Sequence, residues 1–197
     1  MRINKFLSSL GIASRRAIDK YIEEGRIKVN GVIASTGIDV TEEDEIYIDN
    51  KKIETNRIEE KVYFMLNKPL EVLSASSDDR GRKIVVDLIK TDKRIFPIGR
   101  LDYMTSGLIL LTNDGELFNR LVHPKSEIYK KYYIKVFGEV KKEEIEELKK
   151  GVLLEDGKTL PAKVSGIKYD KNKTSMYISI REGRNRQIRR MIEKFGY

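Results

Sequence analysis

A chain of 197 residues with 40% hydrophobic content is long enough for one ordinary packed domain plus a small one. Lysine and arginine outnumber aspartate and glutamate by 39 to 31, a formal charge of +8 that favours a polyanionic partner without identifying it. Cysteine is absent and His123 is the only histidine, so disulfides, thiol nucleophiles, zinc-thiolate sites and histidine-rich metal centres are excluded. No apolar stretch approaches bilayer-spanning length, so a cytoplasmic protein without membrane contact is expected.

In chain order, Phe6, Leu7, Leu10, Ala13, Ala17, Ile18, Tyr21 and Ile22 recur at spacings that place them on one face of two short helices. Ser14 is positioned to cap the second helix and Gly25 to end it. A strand over residues 27–29 meets the turn pair Asn30-Gly31, and residues 45–48 alternate as a second strand. Residues 1–58 therefore read as a helix-helix-strand module. Its charges are segregated: Arg2, Lys5, Arg15, Arg16, Lys20, Arg26 and Lys28 crowd the helical part, and Asp39, Glu42, Glu43, Asp44, Glu45 and Asp49 the later part. Two solvated faces and a one-sided phosphate-binding surface both fit that pattern.

Residues 55–61 are polar, with Ile58 the one apolar side chain, and read as a linker. Beyond it, strand-like runs at 62–66, 108–112, 132–137, 162–169 and 176–180 interleave with helical patterns at 84–90, 116–122, 142–150 and 185–195. Residues 59–197 are thus expected to form an α+β domain on a central, mostly antiparallel sheet.

The most informative string is Gly99-Arg100-Leu101-Asp102-Tyr103-Met104-Thr105-Ser106-Gly107, which runs into the apolar strand 108–112 and the turn Asn113-Asp114-Gly115. An acidic residue on a loop entering a buried strand is held rigidly and stays reachable, which suits catalysis. From the residues alone, an ordinary turn aspartate is the commoner reading. Thr105 and Ser106 can tie the loop to its own backbone, and Gly107 permits a close backbone approach. Asn67-Lys68-Pro69 and His123-Pro124 read as turns, with a structural role for His123.

The segment GRLDYMTSGLILLTNDG resembles the catalytic motif of bacterial ribosomal pseudouridine synthases of the RsuA type. FMLNKP with the Gly81-Arg82 region, KKYYIKV at 130–136 and REGRNRQIRRMIEKFG near the end resemble the same family in the same order. Residues 1–58 separately resemble the ribosomal-protein-S-four-like RNA-binding module that commonly precedes this catalytic domain. The resemblance implies a cofactor-free isomerase that modifies ribosomal RNA, most often of the large subunit. Its implied partner is that RNA or a ribosomal precursor particle, in ribosome biogenesis, and a monomer is expected. A non-catalytic RNA-binding assembly factor, or the same chemistry on small-subunit or transfer RNA, are the alternatives. The family domain continues some tens of residues past the last motif, so further C-terminal strands are expected to be missing from this chain.

Carried onto this sequence, the resemblance makes Asp102 the attacking carboxylate, on either the uracil ring or the anomeric carbon. Such a group has to stay ionised where water is scarce, and Arg189, in Gln187-Ile188-Arg189, matches the family position that pairs with it. From the residues alone Arg189 is a helix-surface arginine. Tyr132 matches the tyrosine that packs on the target base and helps move its proton; alternation sends Tyr133 to the opposite face. Arg100 corresponds to the arginine that fills the place vacated by the extruded base. Arg15, Arg16, Lys20, Arg184, Arg186 and Gln187 complete the expected substrate-binding set.

Overall fold

The structure, a computed structural model, describes residues 1–56 and 59–197; Arg57 and Ile58 of the expected linker, with the 58/59 boundary, lie outside the described residues. Contacts divide the chain into a first unit, Met1–Asn119, and a second, Arg120–Tyr197.

In the first unit, α1 (Ile3–Ser9) and α2 (Arg15–Glu23) pack on one another and bury Ile3, Phe6, Leu7, Ile18 and Ile22 with Ile27, Val40 and Ile46. Ser14 caps α2 as its position implies, its hydroxyl accepting the Ala17 amide at 3.1 Å. The strands β1 (Ile27–Val29), β2 (Val32–Ile33), β3 (Ile46–Ile48) and β4 (Lys51–Lys52) form an antiparallel sheet in the order β2-β1-β3-β4. Asn30 and Gly31, with φ of 51° and 83°, make the two-residue hairpin turn their identities call for. The two-residue strands β2 and β4 are too short to register as an alternation.

A second sheet in this unit has the order β5-β7-β6, from β5 (Tyr63–Lys68), β6 (Phe96–Ile98) and β7 (Gly107–Thr112), all antiparallel. It covers a separate apolar core of Val72, Val85, Ile95, Ile109 and Leu111. β6 escapes the sequence pattern because Pro97 interrupts it; at the sheet edge its missing amide breaks no ladder. The helical pattern at 84–90 yields only a 3-10 turn, Val85–Leu88, since Ile89 is already extended at φ −111° and ψ 123°. Ile84, Val85, Val86 and Ile89 are all β-branched, which disfavours a longer helix.

After α3 (Gly115–Val122), the second unit comprises β8 (Lys130–Phe137), α4 (Lys142–Lys150), β9 (Leu153–Leu154), β10 (Gly157–Lys158), β11 (Lys163–Asp170), β12 (Lys173–Ile180) and α5 (Gln187–Glu193). Its main sheet runs β11-β12-β8, again antiparallel, with β9 and β10 as a separate hairpin. Met176, Ile178 and Ile180 pack with Ile145 and Leu148 of α4 and Met191 and Ile192 of α5. The α+β class with antiparallel sheets stands as expected, and apart from the β9–β10 hairpin the strands after residue 59 fall into two three-stranded sheets, one in each unit. No helix among the described residues is long and apolar enough to cross a membrane.

Asp114, read in the sequence as part of a turn, is 7% exposed and does two jobs. One carboxylate oxygen accepts the Glu116 and Leu117 amides at 2.9 and 3.1 Å, capping α3, and the other accepts the Tyr63 hydroxyl at 3.0 Å and the Lys61 ammonium at 3.1 Å. Burial pushes its pKa up, but the amides, Lys61 and Tyr63 outweigh burial and hold the carboxyl below its ordinary value. Asp114→Ala should cost about 2 kcal/mol in thermal unfolding. Because the folded-state value is depressed, that contribution is complete above about pH 4 and lost as the pH falls through it. The melting temperature of the parent chain should therefore fall faster than the variant's below about pH 4.

Candidate active site

β7 starts at Gly107, directly across from Lys68 at the end of β5, so the 99–106 loop is delivered beside the 68–74 segment. The loop backbone is tied down there. Ser74 Oγ accepts the Leu101 amide at 3.0 Å and donates to the Leu101 carbonyl at 2.8 Å. The Glu71 amide donates to the Tyr103 carbonyl at 2.8 Å, and the Thr105 amide to the Asp102 carbonyl at 3.0 Å. Asp102, half-buried, thus sits between two residues whose backbones are fixed, while Arg100, Tyr103 and Met104 are exposed. A rigid loop with an accessible carboxylate is suited to attack on a bound electrophile.

The residue that organises this loop is one whose sequence neighbours, Asn67 and Pro69, suggest only a turn. Lys68 is fully buried, and its ammonium donates to the Pro69 and Val72 carbonyls at 2.9 and 2.8 Å and lies 3.5 Å from the Tyr103 carbonyl. Burial pushes its pKa down, and the negative charge of Asp102 opposes that shift. The signal was present in the strand period: Phe64, Leu66 and Lys68 share the inward face of β5. A lysine is a poor guess for such a position because it is almost never fully buried without partners. Nearby, Asp78 accepts the Arg80 and Arg82 amides and the Arg82 guanidinium, and Arg82 with these amides holds its carboxyl down to about 2.

The other predicted site residues lie in the second unit or at the N-terminal end. Tyr132 is half-buried on the core side of β8, and Tyr133, on the opposite face, is 58% exposed. Arg189 is exposed on α5. Arg186 precedes α5 with a left-handed φ of 48°, and its guanidinium is 3.8 Å from Glu193. Arg184 and Gln187 are engaged within the protein. All three Arg184 nitrogens donate: Nε to Glu182 at 3.2 Å, Nη1 to the Gly157 carbonyl at 2.9 Å and Nη2 to the Lys158 carbonyl at 2.7 Å. Gln187, 3% exposed, accepts the Arg184 amide at 3.1 Å and donates to Glu182 at 2.6 Å. Together they pin the turn before α5 to the β9–β10 hairpin. Arg190 reinforces it through paired bonds to Asp156 at 2.9 and 3.0 Å, contacts too distant in sequence to be foreseen.

On α2, Arg15, Arg16 and Lys20 are exposed, Lys20 lying 3.7 Å from Glu24. Arg26, by contrast, is bound to Asp49 and Glu24 and stacked 4.1 Å from the Tyr21 ring centroid, so it belongs to the module's own framework. Among the described residues, no three histidine, aspartate or glutamate side chains are grouped to hold a metal ion.

Residues 62–194 match the RNA pseudouridylate synthase family, and residues 1–46 match the S4 domain. The chain is 50% identical over 200 residues to the ribosomal large subunit pseudouridine synthase B of Bacillus subtilis, an alignment covering 100% of this chain and 81% of that protein. It is 38% identical to the dual-specificity RNA pseudouridine synthase RluF of Escherichia coli, over 100% of this chain and 66% of that protein. A crystal structure of a pseudouridylate synthase superposes with a TM-score of 0.66 at 31% identity, covering 100% of this chain and 84% of that one.

Lys68→Met leaves the Pro69 and Val72 carbonyls without their donor, and should lower unfolding stability by about 2 kcal/mol. Amide hydrogen exchange at residues 101–105 should accelerate selectively. An unchanged melting temperature with unchanged exchange there would show that Lys68 does not hold the loop.

Proposed function

The chain belongs to the RNA pseudouridylate synthase family and is an RNA pseudouridine synthase, and from that premise we propose that it isomerises a uridine of large-subunit ribosomal RNA with Asp102 as its catalytic carboxylate. The observation that carries the reading is the fixed Asp102 loop. An aspartate within Gly-Arg-Leu-Asp is flanked by Leu101 and Tyr103, whose backbones are held by Ser74 and Glu71, with a buried lysine beneath. The large-subunit assignment is supported by the name of the 50% identical Bacillus relative.

The reaction needs no redox partner. The bond from C1′ to N1 breaks, the uracil turns, a bond from C1′ to C5 forms, the C5 hydrogen leaves as a proton and N1 gains one. Asp102 supplies the oxygen that carries the intermediate, on the ring or on C1′. Arg189 is the cation assigned to pair with that carboxylate. Tyr132 stacks on the uracil and assists removal of the C5 proton. Arg100, exposed on the loop, replaces the extruded base in its stack, and Arg186 contacts the RNA backbone. Arg184 and Gln187 act by setting the start of α5.

Residues 1–58 are assigned to RNA binding and 59–197 to catalysis, a division supported by the separate apolar cores of the two segments. The exposed Arg15, Arg16 and Lys20 engage phosphates, raising the effective concentration of the catalytic region at the target. The chain is proposed to act as a monomer in the cytoplasm, on rRNA free or in a precursor particle.

Asp102→Asn should abolish tritium release from rRNA labelled at uridine C5 and leave RNA affinity within about threefold, since the substitution removes a charge and keeps the shape. Full turnover by that variant removes the carboxylate assignment. Carbodiimide mapping of rRNA from cells with and without the gene locates the uridine, and an unmodified large-subunit target refutes the substrate assignment. Arg15→Gln, Arg16→Gln and Lys20→Gln in one chain should reduce the salt slope of log affinity by about 2 to 3, because each lost phosphate contact removes about 0.7 to 0.9 of a released counterion. An unaltered slope excludes these three side chains from the interface.

A further inference from the structure

The sheet β11-β12-β8 has two unlike faces. One is closed by α4 and α5 over the core. The other carries Tyr133 at 58% exposure, Phe137 at 75% and Tyr177 at 39%. Cross-strand pairing puts them together: Tyr177 is opposite Tyr133 and Lys173 opposite Phe137. The Tyr133 and Tyr177 ring centroids are 5.3 Å apart. Gly166, at a left-handed φ of 61° where β11 shifts register, leaves Tyr177 its place; a Cβ there would come within 2.9 Å of the ring.

Exposed lysines interleave with these rings. Lys131 and Lys135 alternate with Tyr133 and Phe137 along β8, while Lys173 lies on β12 and Lys163 and Lys168 on β11. The Lys131 ammonium stands 4.4 Å from the Tyr177 ring centroid, and that of Lys173 stands 5.1 Å from Phe137. Lys135, Val136, Phe137 and Lys173 line a shallow hollow between the strands. Neither β8 nor β12 contains an acidic residue, and the one carboxylate of β11, Asp170, is at the strand end opposite Lys173.

Cross-strand aromatic pairing accounts for Tyr133 and Tyr177 as stabilisers of the sheet. It does not account for Phe137, three-quarters exposed with only a lysine across from it, or for a face of several ammonium groups with almost no counter-charge. Flat rings set among cations on a sheet are what a single-stranded polynucleotide requires: a π face for each base and a positive charge for each phosphate. We propose that this outward face is a second RNA-binding surface, separate from the side of the sheet that carries Tyr132, and that it holds a single-stranded segment of the RNA by stacking on Phe137 and Tyr133 and by phosphate contacts from Lys135 and Lys173. The charge of the face selects a polyanion, and its rings select one with unpaired bases.

The test is fluorescence anisotropy of the full chain with a fluorescein-labelled dodecamer of adenylate. That probe contains no uridine, so the outcome does not depend on whether Asp102 isomerises one. Tyr133→Ala with Phe137→Ala should weaken binding at least about tenfold, as expected for the loss of base stacking. Tyr133→Phe with Phe137→Tyr keeps both rings and should stay within about threefold. Lys135→Gln with Lys173→Gln should reduce the salt slope by about 1.4, the single-strand value for two phosphates. All these positions are exposed, and matching circular dichroism melts establish that the variants are folded. The proposal is overturned if the parent chain fails to bind the oligomer at low salt, if the alanine pair binds as the parent does, or if the ring-retaining pair loses as much as the alanine pair. It is equally overturned if sedimentation shows a dimer that Phe137→Ala dissociates while RNA affinity is unchanged, since the face would then join two copies.

Discussion

An ammonium sealed from water must find oxygens inside the protein, and meeting that demand at Lys68 shapes the candidate site. Its stem continues the inward face of β5, and its head gathers the carbonyls of the turn that follows. The Asp102 loop is drawn into the same arrangement through the Tyr103 carbonyl and the Glu71 amide. A buried charge of this kind costs several kcal/mol in desolvation unless its donors are met, so the loop and the β5 turn keep one mutual arrangement. The negative charge of Asp102 opposes the effect of burial on Lys68, making the lysine both a tether and an electrostatic neighbour of the proposed nucleophile.

Arginine plays the corresponding part at the start of α5, by a different physical route. Arg184 spreads a planar fork over the carbonyls of Gly157 and Lys158 and the carboxylate of Glu182. Gln187 closes the circuit to Glu182 from within the helix. A flexible lysine could not serve so many directed acceptors at once. The consequence is a run rich in cations, Arg184 to Arg190, in which members next to one another in sequence do different things: two are bound into the framework, and Arg186 and Arg189 are presented at the surface. The N-terminal module divides its cations in the same way, with Arg26 locked to Asp49 and Arg15 and Arg16 outward.

These divisions explain where sequence reasoning succeeded. The helices of the first module, the Ser14 cap, the Asn30-Gly31 turn, the existence of β7 and β8 and the bounds of α4 rest on local periodicity and capping, which neighbouring residues fix among themselves. The opposite facing of Tyr132 and Tyr133 is of this kind too, because a strand has no other way to place adjacent side chains. Reasoning from period failed at β6, where Pro97 hides an edge strand, and at 84–90, where β-branched residues stop a helix after one turn.

The amino-acid order by itself determined the family, through motifs contiguous in the chain, and determined which side chains share a strand or helix face. Only the tertiary structure decided that Lys68 is inside, that Asp114 caps α3 while binding Lys61 and Tyr63, and that Arg184 and Gln187 face inward. Each of these depends on segments far apart in the chain: 68 with 103, 114 with 63, 184 with 157 and 158. A charged side chain takes whichever partner the fold brings within about 3 Å, and that distance is set by long-range packing, which no local pattern encodes.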